Sequence, residues 1–108
     1  MSDQMLPADH KGKFILVVDV TPVEGKEDDL RKVISDLRES SNDPKREPRT
    51  LTFRVAKGLG KEKGKFKVIE EFPDLEAWQF HQATEVYQRM KDCGFIAGVS
   101  LSFYEEFF

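Results

Sequence analysis

The period of the apolar positions changes several times along the chain, and each change marks an element. Phe14 to Val20, FILVVDV, is apolar and β-branched for most of seven residues. Such a run reads as a central strand covered on both faces. Pro22 and Gly25 break it. From Lys26 the period turns helical. Leu30, Val33, Ile34 and Leu37 fall at i, i+3, i+4 and i+7, and Glu27, Asp28 and Asp29 stand where a helix dipole favours negative charge. The polar stretch SSNDPKREP ends this helix. Leu51, Phe53 and Val55 then alternate with Thr52, Arg54 and Ala56, which predicts a strand with one apolar face. The next strand, Phe66 to Phe72, keeps Phe66, Val68 and Phe72 on one side. The Gly-rich KGLGKEKGK between the two reads as the turn of a hairpin.

Pro73 closes that strand, and Asp74 is placed to cap the following helix. The apolar residues of this helix do not share one stripe. Ala77, Trp78 and His81 lie on one side, whereas Phe80, Val86, Tyr87 and Met90 lie towards another. A break near Ala83-Thr84, giving two short helical pieces, resolves the conflict. DCGF ends the second piece at Gly94. Val99 to Phe107 alternates again, with Val99, Leu101, Phe103 and Phe107 in phase. The order β-α-β-β-α-β is the ferredoxin-like split arrangement of the α+β class. It predicts a four-stranded antiparallel sheet with its helices on one face. The first strand is apolar on both sides, so the other sheet face needs cover. A second copy of the same sheet is the economical cover, which predicts a homodimer through the sheet face.

Composition narrows the function classes. The 108 residues are 39% hydrophobic and 34% charged, which fits one soluble globular domain. Residues 1–12 read as a flexible polar tail containing a solvated His10, and 13–108 as the domain. Seventeen basic against 20 acidic residues give a net charge of −3, which argues against nucleic acid as a partner. The local run of Lys57, Lys61, Lys63, Lys65 and Lys67 reads as a solvated face. Cys93 is the single cysteine, so no internal disulfide forms and a reducing, cytoplasmic setting is expected. No apolar run approaches the ~20 residues of a membrane span. MSDQMLPADHKGK has no apolar core of a secretory signal, so none is expected. GLGKEKGK is not a phosphate loop: Leu59 stands where the first Gly is required, and a strand follows instead of a helix. One Cys and two distant His lack the spacing of a metal site, and no cofactor is expected.

With this order of elements, three stretches together resemble the antibiotic biosynthesis monooxygenase family of dimeric α/β barrels. They are VTPVEGKEDDL, EPRTLTFRV and FKVIEEFPDLEAWQFHQAT. The last is the most specific, with a strand ending at Glu71, a turn, and Ala77 and His81 four apart on a helix. Arg49 departs from the Gly that commonly follows the Glu-Pro pair. The resemblance implies one cavity per subunit, between the helices and the concave sheet. It covers oxygenases of anthrones and quinols that need no cofactor, and also haem-degrading enzymes. The haem branch uses Asn, Trp and His where this chain has Val18, His81 and about Lys91, so haem degradation is not expected.

Within that frame His81 is the first candidate for catalysis, and it allows two readings. It is a partly buried residue bonded to a backbone carbonyl or to Glu70 or Glu71, since unpaired burial would cost about 1–3 kcal/mol. Or it faces the cavity and takes a proton from a phenolic substrate. That transfer is uphill by about 5 kcal/mol, well inside an enzymatic barrier. Trp78 is a candidate platform for a planar ring. Phe53, Phe80, Tyr87, Phe95 and Tyr104 are candidates for an aromatic substrate pocket, and Arg54 for an anionic substrate group. Two functions follow from the resemblance. One is a monooxygenase, needing no cofactor, for a small quinol- or anthrone-like aromatic. The other is a non-catalytic dimeric barrel that binds a small apolar ligand.

Overall fold

The alternating apolar residues meet on one face of a single sheet in a computed structural model, which describes residues 6–107. Strands β1 (Phe14–Pro22), β2 (Thr52–Lys57), β3 (Phe66–Phe72) and β4 (Ile96–Tyr104) are antiparallel in the order β2-β3-β1-β4. Helices α1 (Glu27–Ser41), α2 (Leu75–Gln82) and α3 (Glu85–Lys91) complete the fold, with a short 3₁₀ turn at Gly60–Glu62 in the hairpin. This is the α+β, ferredoxin-like architecture that the order of elements predicts.

Register decides which side chains share a face. Val18 lies opposite both Val68 and Leu101, and Leu16 opposite both Glu70 and Phe103. Phe53 lies opposite Glu70. Directly opposed residues project to the same side of an antiparallel sheet. Phe14, Leu16, Val18, Val20, Phe53, Phe66, Val68, Glu70 and Phe72 therefore share one face with Val99, Leu101 and Phe103. The helices cover this face. Leu30, Ile34 and Leu37 of α1 join Val20, Phe53, Phe66 and Val68 in one buried cluster. Phe14, Leu16, Phe72, Ala77 and Trp78 form a second. Each of the larger side chains contributes about 1.5–3 kcal/mol by leaving water. The opposite face carries Ile15, Val17 and Ile69, all half-buried, beside exposed Arg54 and Tyr104.

The break after α2 has a local cause. Asp74 caps α2 by accepting from the Ala77 backbone N–H at 3.0 Å, and Thr84 caps α3 by accepting from that of Tyr87 at 3.3 Å. Two short helices with separate N-caps can each turn their own apolar residues inward. Gly25 has φ +83° between β1 and α1, a left-handed conformation that glycine adopts without penalty.

Three boundaries differ from the sequence expectation. Helix α1 continues through Ser40 and Ser41, which are both buried instead of opening the polar loop. Strand β4 begins at Ile96 and ends at Tyr104, because Tyr104 pairs with Ile15 at the end of its partner strand. Phe107, which the alternation places in the strand, lies beyond it and is exposed. His10 is not simply solvated. Its Nε2 is 3.0 Å from the Lys13 carbonyl and its ring stands edge-on to Phe14. Residues 1–5 of the expected tail lie outside the described residues.

Candidate functional site

Between the helices and the covered sheet face lies a cavity of about 500 Å³, a volume typical of small-molecule sites. Its lining is mainly apolar: Leu16, Val18 and Leu101 from the sheet, Ile34 from α1, and Met90 from α3. Phe53, Trp78 and Tyr87 also line it, and so do His81 and Glu70. Trp78 stands edge-on to Phe14 and Phe103, with ring centroids 6.0 and 5.3 Å away. These contacts hold the indole in place at the cavity wall.

His81 projects from α2 into the interior and is 1% exposed, as is Glu47 from the loop after α1; Glu70 on β3 is 5% exposed. Charged groups are so deeply buried only when they have partners. His81 Nδ1 donates to Glu47 Oε1 at 2.7 Å. Thr50 Oγ1 donates to the same oxygen at 2.7 Å, and Ser41 Oγ donates to Glu47 Oε2 at 3.2 Å. Burial pushes the Glu47 carboxyl up. The hydrogen bond and charge of His81, with the Thr50 and Ser41 bonds, outweigh this and hold it below the ordinary carboxylate range. An ionised carboxylate only accepts, so Nδ1 must carry a proton. Nε2 is thereby turned towards Glu70, whose Oε1 is 3.5 Å away.

Glu70 is in the opposite condition. Its Oε1 has no hydrogen-bond partner. Burial raises its carboxyl to about 7; the charge of His81 opposes the rise and that of Glu47 adds to it. The Tyr87 hydroxyl is likewise raised, first by burial and then by the Glu70 charge, against a hydrogen bond with Gln82. The rings of His81 and Tyr87 are 5.2 Å apart, and Phe53 and Phe72 flank the imidazole at 5.5 Å each. Chemically, this is a proton-holding array, Glu47–His81–Glu70, set in an apolar wall. A titratable group with a pKa near neutrality can both take and return a proton.

The structure brings together His81, Trp78, Phe53 and Tyr87 around one cavity. It does not bring the remaining sequence candidates there. Phe80 is 53% exposed and Tyr104 56% exposed. Tyr104 and Arg54 belong to the uncovered sheet face. Phe95 packs on the α1 side of the core with the Lys26 ammonium 5.8 Å from its ring. Sequence reasoning did not single out Glu47 as a site residue, and it held Glu70 only as one of two possible partners. For Glu70 a signal existed: it continues the inward phase of Phe66, Val68 and Phe72. Glu47 sits in a polar loop and carries no such signal. Among the described residues no group of three or more His, Cys, Asp or Glu side chains is placed to hold a metal ion. No helix among them is long and apolar enough to cross a membrane.

Comparison with known proteins follows the same lines. A family model described as antibiotic biosynthesis monooxygenase matches residues 13–92. A Pseudomonas aeruginosa protein of solved structure is 19% identical, with a TM-score of 0.77 over 94% of this chain and 100% of that one. A putative antibiotic biosynthesis monooxygenase from Caulobacter crescentus is 20% identical, with a TM-score of 0.78 over 91% and 92% of the two chains. A Shewanella oneidensis protein is 18% identical, with a TM-score of 0.76 over 90% and 93%. At these identities the likeness is one of fold. No curated protein sequence matches the chain at a significant level.

Proposed function

The chain belongs to the antibiotic biosynthesis monooxygenase family, and we propose that it is a monooxygenase needing no cofactor, with a small planar aromatic of the quinol or anthrone type as substrate. The observation that carries this reading is the buried Glu47–His81–Glu70 array at the wall of a cavity that is otherwise apolar. A solid core would use neither an orphaned carboxyl nor an unfilled space beside it.

The chemistry asks little of the protein. The array around His81 takes the proton of a phenolic or enolic hydroxyl. The resulting anion passes one electron to dioxygen, and the radical pair closes to a C–O bond. When an anthrone methylene is the reacting carbon, loss of its remaining hydrogen with O–O cleavage leaves a carbonyl and releases water. The CH₂ group and O₂ thus become C=O and H₂O. The apolar walls exclude water and orient the ring, with Trp78 and Phe53 as platforms. The assembly proposed is a homodimer. The half-buried Ile15, Val17 and Ile69 form an apolar strip that a second sheet would cover.

A second reading has one observation in its favour. Both nitrogens of His81 face carboxylates of the protein itself, as in a purely structural ion network. The protein would then be a dimeric barrel binding a small apolar ligand without turnover. Oxygen uptake by the purified protein across a panel of quinols and anthrones separates the two. Uptake above autoxidation that is lost in His81→Ala supports the monooxygenase. A saturable ligand with no uptake in any case supports the binding protein.

A further inference from the structure

His81 has no nitrogen left for a ligand. Nδ1 donates to Glu47 at 2.7 Å, and Nε2 stands 3.5 Å from Glu70 Oε1. An imidazole whose Nδ1 carries its proton has one remaining lone pair, on Nε2, and that position faces a carboxyl of the protein. Glu70 differs. It lines the cavity, it is buried, and its Oε1 receives no hydrogen bond. It projects from β3 between Leu16 of β1 and Phe53 of β2. The titratable and charged groups that surround it are His81 from α2, Glu47 behind His81, and Tyr87 and Lys91 from α3. Among the described residues only His81 stands within ion-pair distance of it.

We propose that Glu70 is the catalytic residue that takes the substrate proton, and that His81, clamped by Glu47, is the positioning residue behind it. The assignment deepens the monooxygenase reading and rests on it. Before transfer, Glu70 is a carboxylate whose Oε1 is free to accept. The ligand O–H bond breaks, an O–H bond forms on Glu70, and the electron pair stays on the ligand oxygen as phenolate or enolate. His81, held by Glu47, stays in place behind Glu70. Burial, which holds Glu70 at about 7, suits a group that must accept a proton and give it back near neutrality. The same arrangement selects the ligand. A flat, neutral body with a phenolic or enolisable hydroxyl fits the site. A permanent carboxylate or phosphate at that end would meet two buried carboxylates and be repelled.

The test uses anthrone under argon with the wild type, Glu70→Gln and Glu70→Asp. Trp78 is the single tryptophan and lines the cavity, so quenching of its emission reports occupancy. The rate at which the long-wavelength absorption of the anthrone enolate appears after mixing reports proton transfer. All three proteins are expected to bind with comparable affinity. The wild type forms the enolate at mildly alkaline pH, and Glu70→Gln slows its formation at least about tenfold. Glu70→Asp, with its carboxyl withdrawn by one methylene, restores part of the rate. If Glu70→Gln does not fold, Glu70→Asp decides, because it must bind normally and form the enolate more slowly than the wild type. An undiminished rate of enolate formation in Glu70→Gln overturns the proposal, and so does a wild type that neither binds anthrone nor deprotonates it. Without dioxygen the two readings fail separately. An enolate that forms but consumes no oxygen when air is admitted overturns the oxygenase alone. Oxygen uptake that survives in Glu70→Gln overturns the assignment of Glu70 alone.

Discussion

Glu70 and Glu71 are neighbours on β3, and the sheet sends them into different worlds. Glu70 enters the cavity, and burial raises its carboxyl to about 7. Glu71 emerges on the uncovered face, where it accepts from Thr52 Oγ1 at 2.9 Å and lies 3.1 Å from the Lys13 ammonium. Its carboxyl is held below the ordinary range, first by the Lys13 bond and then by the Thr52 bond. Two identical side chains one residue apart thus respond to pH in opposite senses. What separates them is the two-residue period of a strand, not any chemical difference. An acidic pair in a strand is therefore informative only once its phase against the apolar residues is known.

The strongest challenge to this contrast is His81→Ala, which leaves Glu47 and Glu70 buried without their shared partner. Stability should fall by about 3–5 kcal/mol in urea unfolding, and oxygen uptake by about 100-fold or more. A variant as stable as the wild type would mean that the inner carboxylates are not held by His81. Glu70→Gln should act in the other direction. The Glu70 pKa is raised from 4.5 to about 7 on folding. Its contribution is thus fully present below about 4.5 and is lost as pH rises through about 7. Unfolding free energies across this window should show a loss of about 3 kcal/mol in the wild type that Glu70→Gln lacks. Parallel pH profiles for the two proteins would break the comparison.

On the outer face, Val17→Asp places a charge opposite Ile69. It should weaken the proposed homodimer by about 100-fold or more in sedimentation velocity, while leaving the monomer folded. A Val17→Asp protein of unchanged mass in solution would remove the sheet face as the interface. The smallest effect is expected from Glu71→Gln. Its depressed pKa gives stability that is present above the ordinary carboxylate range and lost as pH falls through the depressed value. The substitution should cost about 0.5 kcal/mol or less and show less effect in high salt, as an exposed pair does. A cost comparable with that of His81→Ala would erase the distinction between the two faces.

Much of the molecule was legible in the chain. The apolar periods located all four strands and all three helices, including the break at Ala83-Thr84. Asp74 was recognised as a cap because acidic residues before a helix satisfy its free N–H groups. His81 and Trp78 stood out because each is rare in the chain and both lie on one helix face. The boundaries of α1 and β4 were less legible. Ser40 and Ser41 are polar yet buried, and Phe107 is apolar yet exposed, so polarity pointed the wrong way at both ends. Phe80, Phe95, Tyr104 and Arg54 could not be separated from the cavity residues by type alone. Aromatic content does not tell a pocket from a core or a surface.

By itself the sequence determined the elements, their order and the face each would bury, because these follow from periods of 2 and 3.6 residues over short distances. It also carried the family, through stretches spread along most of the domain. Only the tertiary structure decided that Glu47, 34 positions before His81, would close on Nδ1 while Glu70, from a strand between them in the chain, faced Nε2. That meeting depends on how a polar loop folds back beneath α2. No local pattern encodes the approach of three distant side chains, because it results from packing the helices onto the sheet.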